Sequence, residues 1–431
     1  MKQLINKIIV LEKKHNLFDF QFKNYSVWSS YRMYFYYFVA TDLKILEKPV
    51  AGFKKDLNYI KKIINIFNFR KLFEKKDIFV LEHSRSNREK IDIYTYDIVN
   101  YYGEDKCGFF AFSNNGIVEK KDRVIILDLI KIISKIISKF SQGLIVTDKN
   151  FKNFINAFDG IERNKYITQY KRYTLELKLQ YYFYYFLLKI KKIKKVILVV
   201  SYYNMPLIFA AKSLNIEVIE MQHGVVSKYH LGYHYPYYKT NFFPDKLLTF
   251  SRFWNGSADY PECKIINVGN SFLYAKKQKI QKLKNTILII SQATIGKKLE
   301  EFMVSNLDKL NQYKIFFKLH PNEFNNYKKN YQKLLKYENV NIVSNEYSIH
   351  QLQNFCEYQI GIYSTAVYEG IERRCRTLLL NEVGIEYMEQ VIKNDYAILI
   401  NYDDNIIEKL MEVKEPKNVT FFDKFFIKGK I

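Results

Sequence analysis

The sequence predicts an α/β protein of two doubly wound domains facing a cleft, preceded by a helical N-terminal extension. Its 431 residues exceed the roughly 250–300 at which single cores stop growing, so two domains are expected. From residue 77 onward, short β-branched runs alternate with helical segments, as in βαβ units on a parallel sheet. Beyond residue 285 that alternation becomes regular, which makes the second half the more uniform of the two.

In chain order, residues 1–75 read mostly as helix, rich in aromatic and basic side chains. Strand candidates follow at 77–82, short, apolar and β-branched, at 143–147, and at 123–127, which reads alternatively as part of the lysine-striped helix after it. Within residues 129–140, Lys131, Lys135 and Lys139 recur at every fourth position among isoleucines. That spacing sets ammonium groups on one helical face and isoleucine on the other, a pattern that covers a core or lies on a membrane surface. A long helix over 165–189 contains Tyr-Tyr-Phe-Tyr-Tyr-Phe at 181–186, expected in core or interdomain packing. A strand at 195–201, a helix at 206–214 and strands at 217–221, 246–250 and 264–268 complete the first half. The second half predicts strands at 286–290, 315–319, 340–343, 359–362, 377–380 and 397–400. The Pro/Gly/Asn-bearing stretch 255–278 is the expected join, dividing the chain into 1–260 and 261–431.

With 7 prolines and 15 glycines the chain is neither fibrous nor disordered. Cys107, Cys263, Cys356 and Cys375 are scattered, with no Cys-x-x-Cys pair. This excludes a clustered zinc site and suits a reducing cytoplasm. The apolar start meets Glu12, Lys13 and Lys14 too soon for a secretory leader. No uncharged stretch reaches the ~18–20 residues of a membrane span. The formal charge of +24 calls for nucleic acid, an anionic membrane surface or anionic substrates as partner. The basic residues are dispersed and form no RNA-recognition, helix-turn-helix or zinc-finger signature, so no nucleic-acid partner is expected. The lysine-striped segment and the run Lys-Ile-Lys-Lys-Ile-Lys-Lys at 189–195 favour peripheral contact at the inner face of the cytoplasmic membrane.

Three motifs follow predicted strands, where open α/β sheets gather ligands. The first is Glu220-Met-Gln-His-Gly224. Gly224 allows a sharp turn and close backbone approach. His223 has a near-neutral pKa suited to a general base. Glu220 either orients the imidazole or is itself the base; the bland alternative is a hydrogen-bonded structural histidine. Gln222, Gly224 and the polar-aromatic loop with His230, Gly232, Tyr233 and His234 suit an acceptor sugar. The second motif is Lys318-Leu-His-Pro-Asn-Glu323, in which Pro321 ends the strand and alternation sets Lys318 and His320 on one side, toward a phosphate. The third is Gly361-Ile-Tyr-Ser-Thr-Ala-Val-Tyr-Glu-Gly370. Ser364 and Thr365 open a helix whose N-terminus attracts phosphate, and Glu369 lies about one turn in, within reach of a ribose or base. Ser364 as an ordinary N-cap is the competing reading. Ser291, Gln292 and Thr294 suit a diphosphate-facing loop, and His83, Arg85 and Arg88 offer cationic groups to an anionic acceptor. No Asp-x-Asp triplet suitable for a metal under a sugar diphosphate is present, so no metal and no cofactor besides the donor is expected.

The order strand–Gln-His-Gly, strand–His-Pro, then Ser-Thr-x3-Glu resembles bacterial capsule and lipopolysaccharide glycosyltransferases. The His-Pro and Ser/Thr elements are similar to those of polysialyltransferases and bacterial Kdo transferases. The His-Gly element, joined to a His-Pro and a Ser pair, is similar to that of the poly(glycerol phosphate) polymerases of teichoic acid synthesis. Glu220–Gly224, Gly232-Tyr233, Phe243-Pro-Asp245 and Val268-Gly-Asn270 look like uncharacterised proteins encoded in O-antigen and capsule clusters. The resemblance spans residues 196–372, and more weakly 77–97.

This resemblance implies a GT-B-like architecture of two Rossmann-like domains, with acceptor on 1–260 and nucleotide-sugar on 261–431. It implies that His320, Ser364, Thr365 and Glu369 hold a cytidine nucleotide and that His223 is the base. The acidic pair before Gly that polysialyltransferases use is absent, which puts a sialic acid-specific mechanism in doubt. The implied activity is transfer of a sugar, a CMP-linked acidic one above others, to a lipid-linked surface polysaccharide. Transfer of a phospho-alcohol on the same fold and a non-catalytic role in polysaccharide assembly are the rivals.

Overall fold

The computed structural model describes residues 1–46, 74–83, 92–112, 124–141, 148–238, 241–272, 280–292, 295–324 and 327–416. The N-terminal extension consists of helix Lys2–Lys14, a small antiparallel hairpin, β1 (Gln21–Phe22) with β2 (Tyr25–Ser26), and helix Val27–Asp42. Ser26 caps that second helix by accepting the Ser29 amide, which supplies a partner for one of the unpaired N–H groups of its first turn. One face of the helix buries Trp28, Tyr31 and Phe35 against Phe151 and Phe154.

The first domain is a seven-stranded sheet in the order β5-β4-β3-β6-β7-β8-β9. Its strands are β3 (Ile78–Leu81), β4 (Cys107–Ala111), β5 (Val124–Ile126), β6 (Lys195–Val199), β7 (Glu217–Met221), β8 (Lys246–Thr249) and β9 (Lys264–Asn267), and every pairing is parallel. β6 reads Lys-Val-Ile-Leu-Val and buries its last four side chains, the unbroken apolar run of a parallel strand covered on both faces. The second domain has six parallel strands in the order β12-β11-β10-β13-β14-β15. These are β10 (Leu283–Ile290), β11 (Lys314–Lys318), β12 (Val340–Val343), β13 (Cys356–Gly361), β14 (Arg376–Leu380) and β15 (Ile398–Ile400). The chain is thus two Rossmann-like α/β domains with helical N-terminal additions. Because β9 pairs with β8, the join falls between Asn267 and Leu283 and not at residue 260.

Of the two readings of helix Asp128–Phe140, a core-covering isoleucine face does not fit the packing. The helix packs on helix Arg163–Lys191 through its serine line: Ser138 Oγ donates to Glu176 at 2.9 Å, and Gln180 Nε2 donates to Ser134 Oγ at 3.1 Å. The isoleucine stripe is left outward, with Ile133 49%, Ile136 53% and Phe140 81% exposed. The aromatic hexad divides likewise: Tyr181 and Tyr184 are buried, whereas Tyr182, Phe183 and Phe186 are exposed. β4 was not expected, because its Cys-Gly-Phe-Phe-Ala run lacks β-branched residues. The strand expected at 143–147 lies outside the described residues.

Candidate functional site at the facing sheet ends

Each sheet order reverses once. In the first domain the chain runs outward from β3 to β5, then returns to the other side of β3 as β6; in the second it runs from β10 to β12, then returns beside β10 as β13. Crevices for ligands open at such switch points, outside the carboxyl ends of the strands. The first switch point is flanked by His83 after β3 and Ser201 after β6, with His223 next along after β7. The second is flanked by Ser291 after β10 and Ser364 after β13. Gly224 and Thr365 bring the two together: a Cβ on Gly224 would lie 3.5 Å from Thr365 Oγ1. His320 follows β11, two strand spacings or about 10 Å from the end of β13.

The first-domain wall is a buried polar network. Glu220 is fully buried; its Oε1 accepts the Ser201 amide at 2.9 Å and the Tyr233 hydroxyl at 2.7 Å. Burial raises its pKa to about 7, against the lowering effect of those two donors. The Tyr233 oxygen lies 3.4 Å from His223 Nδ1. Its proton goes to Glu220, so that oxygen is free to accept from Nδ1–H, in the tautomer that leaves Nε2 as the acceptor nitrogen. The Ser201 amide is presented by Val200, a β-branched residue at φ +62°, in the left-handed region such residues avoid. Backbone strain of that kind clusters at functional sites.

Around this network lie His83, with its ring centroid 5.9 Å from His223, and Tyr202 at 6.2 Å. The Asp92 carboxylate receives the amides of His83 and Tyr94 and the Thr95 hydroxyl. Burial raises the Asp92 pKa to about 6. Asp92 was not singled out in the sequence, although an Asp accepting from residues two and three ahead is a recognisable turn signal. The loop carrying Tyr233 is anchored by the N-terminal extension. Arg32, fully buried, donates 2.7 Å bonds to the Leu231 and His234 carbonyls, while its Nε bonds Glu12 at 2.8 Å. His230 and His234 are held neutral, each with its pKa lowered to about 4 mainly by burial, and each accepts a backbone amide on Nδ1.

The second-domain wall is built from backbone. Ser364 accepts the Ala366 amide at 3.2 Å and caps helix Thr365–Glu372, so the N-cap reading of Ser364 holds. Glu369 is fully buried and pairs with His350 Nε2 at 2.8 Å. His350, part-exposed on helix Ile349–Phe355, was missed because nothing in its sequence surroundings marks it. The His-Pro turn is tied by Glu323, which accepts the His320 amide at 2.7 Å, the Ser291 hydroxyl at 3.0 Å and the Tyr331 hydroxyl.

Several expected ligand contacts are therefore structural. Gln222 is 1% exposed; its amide donates to the Gly224 carbonyl and accepts from Phe250 N, bracing the His-Gly turn. Tyr233, also 1% exposed, gives its hydroxyl to Glu220 at 2.7 Å. Ser291, at 4% exposure, gives its hydroxyl to Glu323. The Lys318 ammonium points to the Ser344 carbonyl. Asn270 and Asp245 of the other motifs hold the Ile93 carbonyl and the Val218 amide. Pro321 opens the short turn Pro321–Glu323, and Gln292, half-buried, follows Ser291. Arg85, Arg88 and Thr294 lie outside the described residues. Among the described residues no three His, Cys, Asp or Glu side chains converge as a metal site would require.

No family model matches the sequence, and no curated protein matches it. Solved structures share the general arrangement of two α/β domains at low similarity. A Methanocaldococcus jannaschii UDP-GlcNAc 2-epimerase in complex with UDP-GlcNAc and UDP aligns at TM-score 0.49 and 12% identity, over 82% of this chain and 96% of its own. MurG from Acinetobacter baumannii aligns at 0.46 and 10%, over 78% and 90%. The calicheamicin glycosyltransferase CalG4 aligns at 0.47 and 9%, over 80% and 92%. The fold assignment stands on the sheets' own order and direction.

Proposed function

We propose that this chain is a nucleotide-sugar-dependent glycosyltransferase of GT-B type in which His223 is the general base and Glu220 a buried positioning group. The observation that carries the reading is the meeting of the His223-Gly224 turn with the Ser364-Thr365 helix start across two switch points. His223 Nε2 takes the proton of an acceptor hydroxyl; the oxygen attacks the anomeric carbon; the bond from that carbon to the phosphate oxygen breaks, and the nucleotide leaves with the electron pair. The start of helix Thr365–Glu372 stabilises the departing phosphate through backbone N–H groups and the helix dipole. Glu220, shut in by Tyr233 and Ser201, acts through the tautomer of His223.

The finer assignment is a CMP-linked acidic sugar as donor and a lipid-linked O-antigen or capsule glycan as acceptor, by the order of motifs. The outward stripe of Ile133, Ile136, Ile137 and Phe140, beside Lys135 and Lys139, supports contact with an anionic membrane carrying that acceptor. A thermal-shift panel of CMP, CDP, UDP, GDP and TDP tests the donor. A nucleotide that binds only the native state at 100 times its Kd stabilises by about 2.7 kcal/mol. Selective stabilisation by CMP is expected; a response to UDP or GDP alone replaces the acidic sugar with a hexose, and no response to any nucleotide overturns the reading.

A further inference from the structure

Glu12 and Arg32 stand on the two helices of the N-terminal extension, and both side chains are fully buried. Arg32 Nε donates to Glu12 at 2.8 Å, and Nη2 reaches the other carboxylate oxygen. Trp28 Nε1 donates to Glu12 at 2.9 Å. Withdrawing two charges from water is costly, and apolar residues of similar volume often stabilise a core as well or better. Stability alone therefore gives little reason for an ion pair here. What apolar residues cannot do is donate hydrogen bonds. The remaining guanidinium nitrogen, Nη1, donates to two backbone carbonyls, those of Leu231 and His234, at 2.7 Å each.

These two carbonyls bracket Tyr233 in the chain. The turn between them is closed by the Tyr233 and His234 amides, which donate to the His230 carbonyl at 2.9 and 3.0 Å. Its Gly232 backbone lies so near the Tyr202 ring that any Cβ there would overlap the ring. Tyr235 adds its ring face, with the centroid 4.5 Å from Arg32 Cζ. The segment gripped in this way delivers the Tyr233 hydroxyl to Glu220 at 2.7 Å and to 3.4 Å from His223 Nδ1. The second contact is near the outer limit of a hydrogen bond, so a drift of about 0.5 Å breaks it. Arg32 thus holds the turn at the carbonyls on either side of the residue that has least room to move.

We propose that Arg32, braced by Glu12, is a positioning residue for the general base: by fixing the turn around Tyr233 it keeps the Tyr233 oxygen on Nδ1–H of His223, so that Nε2 stays free to take the acceptor's proton. This rests on the reading of His223 as base. A guanidinium is needed because one planar group must meet a carboxylate along one edge and two carbonyls along another. Lysine supplies a charge for Glu12, but a single ammonium lacks that fork. The N-terminal extension is then a working part of the first-domain wall, because the tautomer of His223 depends on a side chain of its second helix.

The test reads the imidazole itself and needs no substrate. Long-range nitrogen–proton NMR spectra of the full chain, labelled at its 7 histidines, are recorded well above the imidazole pKa. His223 is assigned from the signals lost in His223→Gln. The variants are Tyr233→Phe, Arg32→Lys and the apolar pair Glu12→Leu with Arg32→Met, and each is also melted. Wild type is expected to show a protonated Nδ1 and a bare Nε2. All three variants are expected to lose that tautomer in favour of Nε2–H, with the apolar pair melting within a few degrees of wild type. A protonated Nε2 in wild type overturns the proposal without any variant. So does the wild-type tautomer persisting in Tyr233→Phe or in either Arg32 variant that folds. Unfolding of both Arg32 variants makes the pair a stability element and overturns the proposal as well. The nucleotide thermal shift on the same samples keeps the two readings apart. Failure of every nucleotide in wild type removes the role of His223 as base, while the tautomer and its dependence on Arg32 are still measured.

Discussion

At the end of β7 the first domain uses a buried carboxylate, a tyrosine hydroxyl and a strained backbone to orient one imidazole, whereas at the end of β13 the second domain offers little more than a capped helix start. On the proposed mechanism one wall spends side chains on proton chemistry, while the other relies on backbone amides that every sequence possesses. The contrast teaches where single substitutions should hurt. A buried network whose members hold one another in place is weakened when any one of them is removed. A helix terminus keeps its N–H groups and dipole whichever side chains flank it.

The sharpest way to break this comparison is His223→Ala. Loss of a general base is expected to lower turnover by about 10²–10⁴-fold, while the thermal shift given by the nucleotide stays as in wild type. Turnover within threefold of wild type would remove the base from this wall.

A smaller effect concerns Glu220. Its pKa is raised from the ordinary 4.5 to about 7 by burial, so the folded state holds its proton longer than the unfolded state does. Its contribution to stability is then complete below pH 4.5 and is lost as pH rises to about 7, on the order of 3 kcal/mol in all. Asp92, raised to about 6, adds a slope of the same sign. Melting temperature against pH should therefore fall over this window in wild type and fall less in Glu220→Gln. An identical slope in the variant contradicts the buried state of Glu220.

The smallest effect belongs to the second wall. Ser364→Ala removes the cap on helix Thr365–Glu372 and should cost about 1 kcal/mol of stability, with turnover changed by less than tenfold. A loss of turnover as large as that of His223→Ala would mean that the serine hydroxyl itself serves catalysis and that the two walls are not so different.

Much of this arrangement is legible in the sequence. The Val-Ile-Leu-Val run of β6 and the Thr-Ile-Leu-Ile-Ile end of β10 are apolar, β-branched and buried on both faces, which leaves one reading. His223, Gly224, Ser364 and Thr365 stand out because each follows a predicted strand. Gln222, Tyr233 and Ser291 look the same on paper as a ligand-binding residue; only the positions of Phe250 N, Glu220 and Glu323 show that their polar groups are already engaged. Helix Asp128–Phe140 has an unmistakable isoleucine face, yet which face packs depends on Ser134 and Ser138 meeting Gln180 and Glu176, partners some forty residues away. Arg32 carries no local signal at all, since its partners lie in other elements.

The sequence by itself determined the alternation of strands and helices, the two parallel sheets and the strand ends where chemistry collects, because side-chain periodicity and turn residues act over a few positions of chain. Tertiary structure alone decided which polar groups are spent on holding loops, and that Gly224 meets Thr365. Those outcomes depend on distances between segments far apart in the chain, and desolvation and hydrogen bonding are set by whichever groups the fold makes neighbours.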